Sequence, residues 1–202
     1  MLQELIQRYP RLTCCEETIF SAFLLLAKCF EQQNKLLIAG NGGSASDADH
    51  IAGELLKAFK YKTPLRFPQV SEKLSGHLQP ALPAIPLTNL HGVLSAYGND
   101  CDFKWGLAQL VFGLGRENDI LLALSTSGQS ENILNAALTA KEKHMPVIGL
   151  TGHSGGALKE LCDICICVPE EVTFKVQELH LPIYHCLCLM LEEHFLNARD
   201  TH

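Results

Sequence analysis

Short apolar runs alternate along the chain with longer stretches whose apolar residues recur at helical spacing. Five of these runs have the length of buried strands, at 35–39, 82–87, 119–124, 146–150 and 164–168. The stretches between them predict helices. This alternation predicts an α/β fold, with a five-stranded, mainly parallel, doubly wound sheet covered by helices on both faces.

The two ends of the chain both predict helices. Residues 2–8 and 16–33 predict two helices before the first strand, and residues 173–196 predict a long final helix that contains Pro182. We place residues 1–34 in the same domain as 35–202, as N-terminal helices for packing or oligomerisation. Shorter helices are predicted at 88–96, 103–112, 130–143 and 155–161, with a turn at Gly98-Asn99-Asp100.

The segment 59–80 is the least regular part of the sequence. It contains Pro64, Pro68 and Pro80 and carries mixed charge, so it predicts a loop with one short helix. We consider this segment a candidate lid.

Glycines and hydroxyl residues follow the first predicted strand directly. The stretch 40–46 has the sequence Gly-Asn-Gly-Gly-Ser-Ala-Ser, and its serines stand where a helix would begin. A helix N-terminus reached through glycines favours binding of an anion. His50 and Glu54 follow four positions apart on the same predicted helix, which is the spacing of paired metal ligands.

A second loop of the same kind follows the third predicted strand. Residues 125–130 have the sequence Ser-Thr-Ser-Gly-Gln-Ser and precede a predicted helix. Neither loop contains the glycine pattern of a dinucleotide site or the lysine of a P-loop. Hydroxyl and amide donors without a lysine favour a phosphate monoester over a nucleoside triphosphate.

The net charge and the hydropathy of the chain argue against some classes of binding partner. The chain has 202 residues and a formal net charge of -6, which argues against binding to nucleic acid. No apolar run reaches the roughly 18 residues of a membrane span, and the first residues lack the basic region of a signal peptide. We therefore expect a cytoplasmic protein with a small-molecule or protein partner and no membrane contact.

Nine cysteines are scattered through apolar patterns, where free thiols pack as small apolar groups. Cys162 and Cys165 form one C-x-x-C, but no second pair follows, and the residues from 164 to 168 have a strand pattern. The sequence therefore favours packing over a disulfide, zinc or redox role for these cysteines.

Further motifs occur in the order that they have in one known family. They are Asp47-Ala48-Asp49-His50-Ile51-Ala52-Gly53-Glu54-Leu55, Leu82-Pro83-Ala84-Ile85, Asn99-Asp100, Leu114-Gly115-Arg116, Ser125-Thr126-Ser127-Gly128, Val147-Ile148-Gly149-Leu150-Thr151-Gly152 and Val176-Gln177-Glu178-Leu179-His180. Together with the loop at 40–44, they resemble the phosphoheptose isomerase branch of the sugar isomerase (SIS) domain family, from about residue 35 to 195.

This resemblance implies an activity, a cofactor and an assembly. The reaction would interconvert D-sedoheptulose 7-phosphate and D-glycero-D-manno-heptose 7-phosphate through an enediol, an early step toward the heptose of bacterial lipopolysaccharide or capsule. The resemblance also implies one zinc ion per site and a homotetramer.

The resemblance assigns roles to individual residues of this chain. The metal ligands would be His50, Glu54, Gln177 and His185. The phosphate would be held by Ser125, Thr126, Ser127 and Ser130, and the sugar would contact Asn41, Gly42, Gly43, Asn99 and Asp100, with Ser44, Glu54 and Gln177 completing the substrate site. Glu54 would be the base and His185 the acid of the proton transfer.

The spacing of two implied metal ligands raises a geometric difficulty. Gln177 and His185 are eight positions apart, so a regular helix separates them by about 80° around its axis and about 12 Å along it. Either Pro182 bends the helix between them, or one ligand comes from a neighbouring subunit. We expect the second.

Several positions depart from the family pattern and keep other functions open. Ala58 stands where many members have a basic residue, Gln109 where an arginine is frequent, and 62–78 resembles an insertion. The chain could therefore be an isomerase or a sensor for another phosphosugar. A third alternative is a non-catalytic SIS protein that regulates a replication initiator, although such proteins lack the metal-site residues.

The neighbours of these motifs have simpler roles. Glu178 and His180 fit a polar stripe on an amphipathic helix.

Overall fold

The computed structural model describes residues 1–61 and 71–197, and its centre is one sheet of five parallel strands. The strands are β1 (Leu36–Ala39), β2 (Ala84–Pro86), β3 (Ile120–Ser125), β4 (Val147–Thr151) and β5 (Ile164–Cys167), in the order β2-β1-β3-β4-β5. All four neighbouring pairs are parallel. The predicted α/β class is therefore confirmed, and each predicted strand lies close to its predicted bounds.

The helices cover both faces of the sheet. They are α1 (Leu2–Arg8), α2 (Glu16–Glu31), α3 (Gly43–Leu56), α4 (Glu72–Ser75), α5 (His91–Asp100), α6 (Gly106–Leu114), α7 (Glu131–Glu142) and α8 (Thr173–Asn197), with short 3-10 turns at Pro10–Cys15, Leu87–Asn89, Phe103–Trp105 and Ala157–Leu161. No helix in the described ranges is long and apolar enough to cross a membrane.

Alternate residues of each inner strand enter two separate cores. Leu36 and Ile38 of β1 pack into the core on the side of α1, α2, α3 and α8, whereas Leu37 packs with α6 and α7 on the other side. All residues of β1, β3 and β4 are buried. Burial on both faces explains why these strands are continuous apolar runs and not alternating patterns.

The predicted turn at residues 98–100 is wrong, because these residues form the last turn of α5. The glycine serves side-chain packing here. A Cβ on Gly98 would lie 2.3 Å from the Phe103 ring, so the glycine makes room for that ring within a helix and does not end it.

The candidate lid at 59–80 can be followed only at its ends. α4 is the one short helix expected there, and it lies in the described part of the segment. Residues 62–70, including Pro64 and Pro68, lie outside the described residues.

The final helix continues through Pro182 and carries a histidine in an unexpected place. His180 is fully buried, so its predicted position on a polar stripe is wrong. Neither ring nitrogen has a hydrogen-bond partner of ordinary geometry among the described residues. Burial lowers the pKa of His180 to about 4, and only the Thr151 backbone acts in the opposite direction.

We expect His180 to make the protein unstable in mild acid. The unfolded chain binds a proton at His180 near pH 6.5, but the folded chain binds it only near pH 4, so acidification between these values favours unfolding. This difference corresponds to about 3 kcal/mol in the free energy of unfolding, present above pH 6.5 and lost by pH 4. Urea unfolding between pH 7 and pH 4.5 would measure it.

Two comparisons identify the group responsible for this pH dependence. The loss should be much smaller in His180→Gln and unchanged in His153→Gln, since His153 is exposed. Exchange of the imidazole C2 hydrogen, followed by mass spectrometry, reports the pKa of His180 without a variant. An ordinary pKa there would contradict the expectation.

Candidate active site

The order of the strands places one crevice at the centre of the sheet. From β1 the chain passes to β2 on one side and then returns to β3 on the other. In such sheets, ligands bind beyond the carboxyl ends of the two strands at this reversal. The two stretches singled out in the sequence, 40–46 and 125–130, lie where β1 and β3 end at this point.

Side chains of the two loop regions contact each other directly. Asn41 and Asn132 exchange a reciprocal pair of amide hydrogen bonds, with N···O distances of 2.9 and 2.8 Å. Sequence reasoning missed Asn132, whose position in the first turn of α7 was the available signal. This pair fixes the β1 loop against the start of α7.

The second loop is closed by its own hydroxyl groups. The Ser125 hydroxyl donates to that of Ser130 at 3.2 Å, and the Ser127 hydroxyl accepts from the Gln129 amide at 3.2 Å. Gly128 has φ +62°, which allows the tight turn between them. The predicted phosphate residues are therefore arranged around the N-terminus of α7, where amide groups and the helix dipole favour an anion.

Gln177 lies at the start of α3 and not beside His185. A Cβ on Gly43 would be 2.5 Å from Gln177 Nε2, so the amide lies directly on the glycine. His50 comes seven residues after Gly43, or about 10 Å along the helix. Within one chain, Gln177 therefore contacts the N-terminal end of α3, next to the loop 40–42 that follows β1.

The other three predicted metal ligands come together farther along the two helices. His50 Nε2 lies 3.3 Å from Glu54 Oε1 and 3.3 Å from His185 Nε2. His50 is exposed, whereas Glu54 and His185 are half-buried. Burial, and then the charge of His50, lower the pKa of His185.

Two residues that sequence reasoning did not select hold His50 in place. The Tyr184 hydroxyl donates to Asp47 Oδ1 at 3.1 Å, and its oxygen lies 3.1 Å from His50 Nδ1. Because the hydroxyl proton is directed to Asp47, we assign the proton of His50 to Nδ1, as a donor to Tyr184. The lone pair of His50 is then on Nε2, toward Glu54 and His185.

The chemistry of this group fits a divalent cation. His50 Nε2 and the Glu54 carboxylate both bear lone pairs, so their approach is favourable only with a proton or a cation between them. Tetrahedral zinc with nitrogen and oxygen ligands has donor atoms about 3.4 Å apart, close to the two separations found here. In the ranges that the structure describes, however, no three His, Cys, Asp or Glu side chains are already arranged to hold a metal ion.

The segment after α3 packs against His185. The Phe59 ring lies 5.4 Å from the His185 ring, and Glu192 holds the backbone here by accepting from the amides of Phe59, Lys60 and Tyr61. His185 also lines a groove of about 170 Å³ between α1 and α8. His185 therefore packs against Phe59 and borders an open groove.

Three of the sequence-selected positions lie outside these contacts. Asn99 and Asp100 are exposed at the end of α5, where the Asn99 amide donates to Asp100 at 2.9 Å, and no hydrogen bond joins them to either loop within the described part of the chain. Ala58 is buried, with its amide donating to Gln79 at 3.1 Å. A longer basic side chain at this buried position 58 would need to displace the residues packed around Ala58.

Comparison with known proteins agrees with this architecture. The SIS domain family matches residues 10–152. A phosphoheptose isomerase of Nitratiruptor is 41% identical over 177 residues, covering 88% of this chain and 86% of the relative.

Solved structures give the same result. A phosphoheptose isomerase from Francisella tularensis is 36% identical with a TM-score of 0.80, and one from Neisseria gonorrhoeae is 31% identical with a TM-score of 0.78. Each comparison covers 95% of this chain and 94% of the solved chain. The chain therefore belongs to the SIS domain family and is an enzyme of its phosphoheptose isomerase branch.

Proposed function

We propose that the enzyme interconverts D-sedoheptulose 7-phosphate and D-glycero-D-manno-heptose 7-phosphate. One observation supports this most directly. Helices α3 and α8 pack together with the glycine-rich loop 40–42 at one end of their contact and the His50, Glu54 and His185 group at the other. The names of the relatives agree with this substrate.

Residues 125–130, the serine loop, would bind the phosphate of the sugar. Ser125, Thr126, Ser127 and Ser130 supply hydroxyl groups beside the amides of α7, and the β1 loop, with Asn41 fixed by Asn132, supplies further contacts to the sugar. Neutral donors and a helix dipole bind a monoester dianion without a lysine. These residues would orient the other end of the sugar toward the proton-transfer groups.

The proton transfer requires a base and an acid. Glu54 would remove a proton from carbon, giving an enediol, and His185 would protonate the oxygen that develops charge. The lowered pKa of His185 makes its protonated form a stronger acid than ordinary imidazolium. The half-buried position of both groups limits competing proton exchange with water.

We further propose that His50, Glu54 and His185 hold a zinc ion, with Gln177 as a fourth ligand. Because an atom that binds the ion cannot also carry the transferred proton, Glu54 and His185 would change between ligand and proton-transfer roles during turnover. When bound, this ion would supply Lewis-acid polarisation of the sugar carbonyl. Nitrogen and oxygen ligands accept other divalent ions too, so metal analysis of the purified protein should accompany the activity assay.

Tyr184 is expected to contribute to metal affinity by holding His50 in the required tautomer. Tyr184→Phe removes the acceptor of the His50 Nδ1 proton, and we expect zinc affinity to fall about 10- to 100-fold. Competition with a chromophoric chelator would measure this. Asp47→Asn, which keeps an oxygen that accepts from Tyr184, should lose less; equal affinity of Tyr184→Phe and the unmodified protein would contradict the assignment.

The position of Gln177 supports a site shared between subunits of a homotetramer. Within one chain Gln177 packs on Gly43, at the opposite end of the α3–α8 contact from His185, and the helix leaves about 12 Å between the two positions. A ligand from a neighbouring subunit would complete the set. Dilution to monomers should therefore release metal, and monomers that keep full metal stoichiometry would exclude this arrangement.

The test of function is turnover of sedoheptulose 7-phosphate by the purified protein, before and after chelation and again after zinc is restored. Metal-dependent formation of the aldoheptose phosphate would establish the proposed reaction. Bound metal without turnover would direct the search to another phosphosugar. Absence of both would favour a regulatory SIS protein.

A further inference from the structure

Three cysteine thiols meet at β5, the edge strand of the sheet. The sulfur atoms of Cys165 and Cys167 are 3.6 Å apart, and the Thr151 hydroxyl lies 3.8 and 3.4 Å from them. The Cys162 thiol, from the turn that precedes β5, lies with the Cys165 thiol beside Gly149. We refer to Cys162, Cys165 and Cys167 as the thiol cluster.

A glycine on the neighbouring strand makes room for two of these thiols. Gly149 of β4 pairs with Cys165 in the sheet. A Cβ on Gly149 would lie 2.6 Å from the Cys162 sulfur and 3.2 Å from the Cys165 sulfur. Both sulfur atoms therefore occupy the space beside this glycine, with no side chain of β4 between them.

The two thiols of this pair differ in acidity. The adjacent Cys162 thiol is the largest influence on Cys165 and, with Thr151, Cys167 and the charge of Lys159, lowers its pKa to about 6 despite burial. The adjacent Cys165 thiol and burial raise the pKa of Cys162. All three members of the cluster are partly accessible, so a small oxidant can reach them.

We propose that the thiol cluster is a peroxide-oxidation site in which Cys165 is the attacking thiolate and Cys162 the resolving thiol. Cys165 sulfur attacks one oxygen of hydrogen peroxide, the O–O bond breaks, and the other oxygen leaves as water after taking a proton, which gives a sulfenic acid. Cys162 sulfur then displaces the sulfenic hydroxyl as a second water and forms the disulfide. Two thiols are oxidised and one peroxide is reduced.

The backbone favours Cys162 over Cys167 as the resolving residue. Cys165 and Cys167 are two positions apart on one strand, so their Cα atoms are about 6.6 Å apart with parallel side chains, near the upper limit for a disulfide. Cys162 approaches from the end of the Ala157–Leu161 turn, outside the strand. This inference does not depend on the isomerase reaction, because neither thiol belongs to the proposed active site.

The experiment treats the full-length protein with hydrogen peroxide, blocks remaining thiols by alkylation, and digests it with trypsin and a protease that cuts before Asp163. Cleavage at Asp163 places Cys162 and Cys165 on different peptides, so a bond between them is seen as a linked pair that dithiothreitol separates. We expect this pair to form, and Cys165 to react about tenfold faster than the exposed Cys101.

Single substitutions separate the roles within the cluster. Cys167→Ser should keep the linked peptides, Cys165→Ser should abolish them, and Cys162→Ser should leave a sulfenic acid at position 165 that dimedone traps. Two results would overturn the proposal: Cys162 and Cys165 remaining fully alkylated under conditions that oxidise Cys101, or loss of the linkage in Cys167→Ser.

Discussion

Glu54→Gln is expected to lower the turnover of sedoheptulose 7-phosphate about 10³-fold. The substitution keeps the shape of the side chain but removes the carboxylate proposed as the base, together with the negative charge that faces His50 at 3.3 Å. Steady-state kinetics on the unfractionated protein would measure the loss. Turnover within tenfold of the unmodified enzyme would exclude Glu54 as the base.

The same variant should leave the fold almost unchanged. Glu54 pairs with Lys57 at 3.2 Å, and Lys57 is exposed, so the lost ion pair contributes less than about 1 kcal/mol. Glu142→Gln, at the end of α7 and away from the site, is the matched control and should keep full activity. Metal content measured in both variants distinguishes loss of the base from loss of the ion.

Gly128→Ala is expected to destabilise the fold more than any other glycine substitution proposed here and to abolish phosphosugar binding. A Cβ at this position would lie 2.0 Å from the carbonyl oxygen of Gly155, and φ is +62°. Strain at a positive φ and overpacking against backbone each cost about 1–3 kcal/mol. The Gly128 carbonyl also accepts from the Leu158 amide at 3.0 Å, so a shift would break a contact that supports the serine loop.

Two further glycine variants separate strain from steric conflict. Gly42 has φ +54°, and a Cβ added there would meet nothing within 4 Å, so Gly42→Ala tests backbone strain alone. Gly113→Ala, on the exposed face of α6, meets no neighbour and should stabilise the helix by up to about 1 kcal/mol. Urea unfolding of the three variants should give Gly128→Ala the largest loss; a loss no greater than that of Gly42→Ala would mean that the loop relaxes around the added methyl group.

The strands were predictable because each is a contiguous run of residues with one simple property. Residues 120–125 are buried throughout, and the corresponding run of Ile, Leu and Ala is visible without a structure. The same holds for the two loops beside the crevice, where glycine and serine determine the local backbone conformation. His50 and Glu54 were predictable as a pair because a helix brings residues four apart to one face.

The errors occurred where side-chain packing opposes what composition suggests. Gly98 has the composition of a turn, but it lies inside α5 with the Phe103 ring packed on it. His180 is polar by composition, yet α8 turns that face toward the core, where no hydrogen-bond partner is found among the described residues. Composition reports the preference of a residue for water, and packing can override it at a cost.

Contiguous sequence was enough to define the α/β class, the two loops beside the crevice and the His50–Glu54 pair, since each depends on residues within a few positions of one another. The contact of His50 with Tyr184, 134 positions apart, the placement of Gln177 on Gly43, and the approach of Cys162 to Cys165 beside Gly149 all depend on how separate elements pack. Periodicity determines which face of a helix is apolar, but not the level along its axis at which it packs against a neighbouring helix. The level of α8 against α3 places Gln177 beside Gly43 and His185 beside His50.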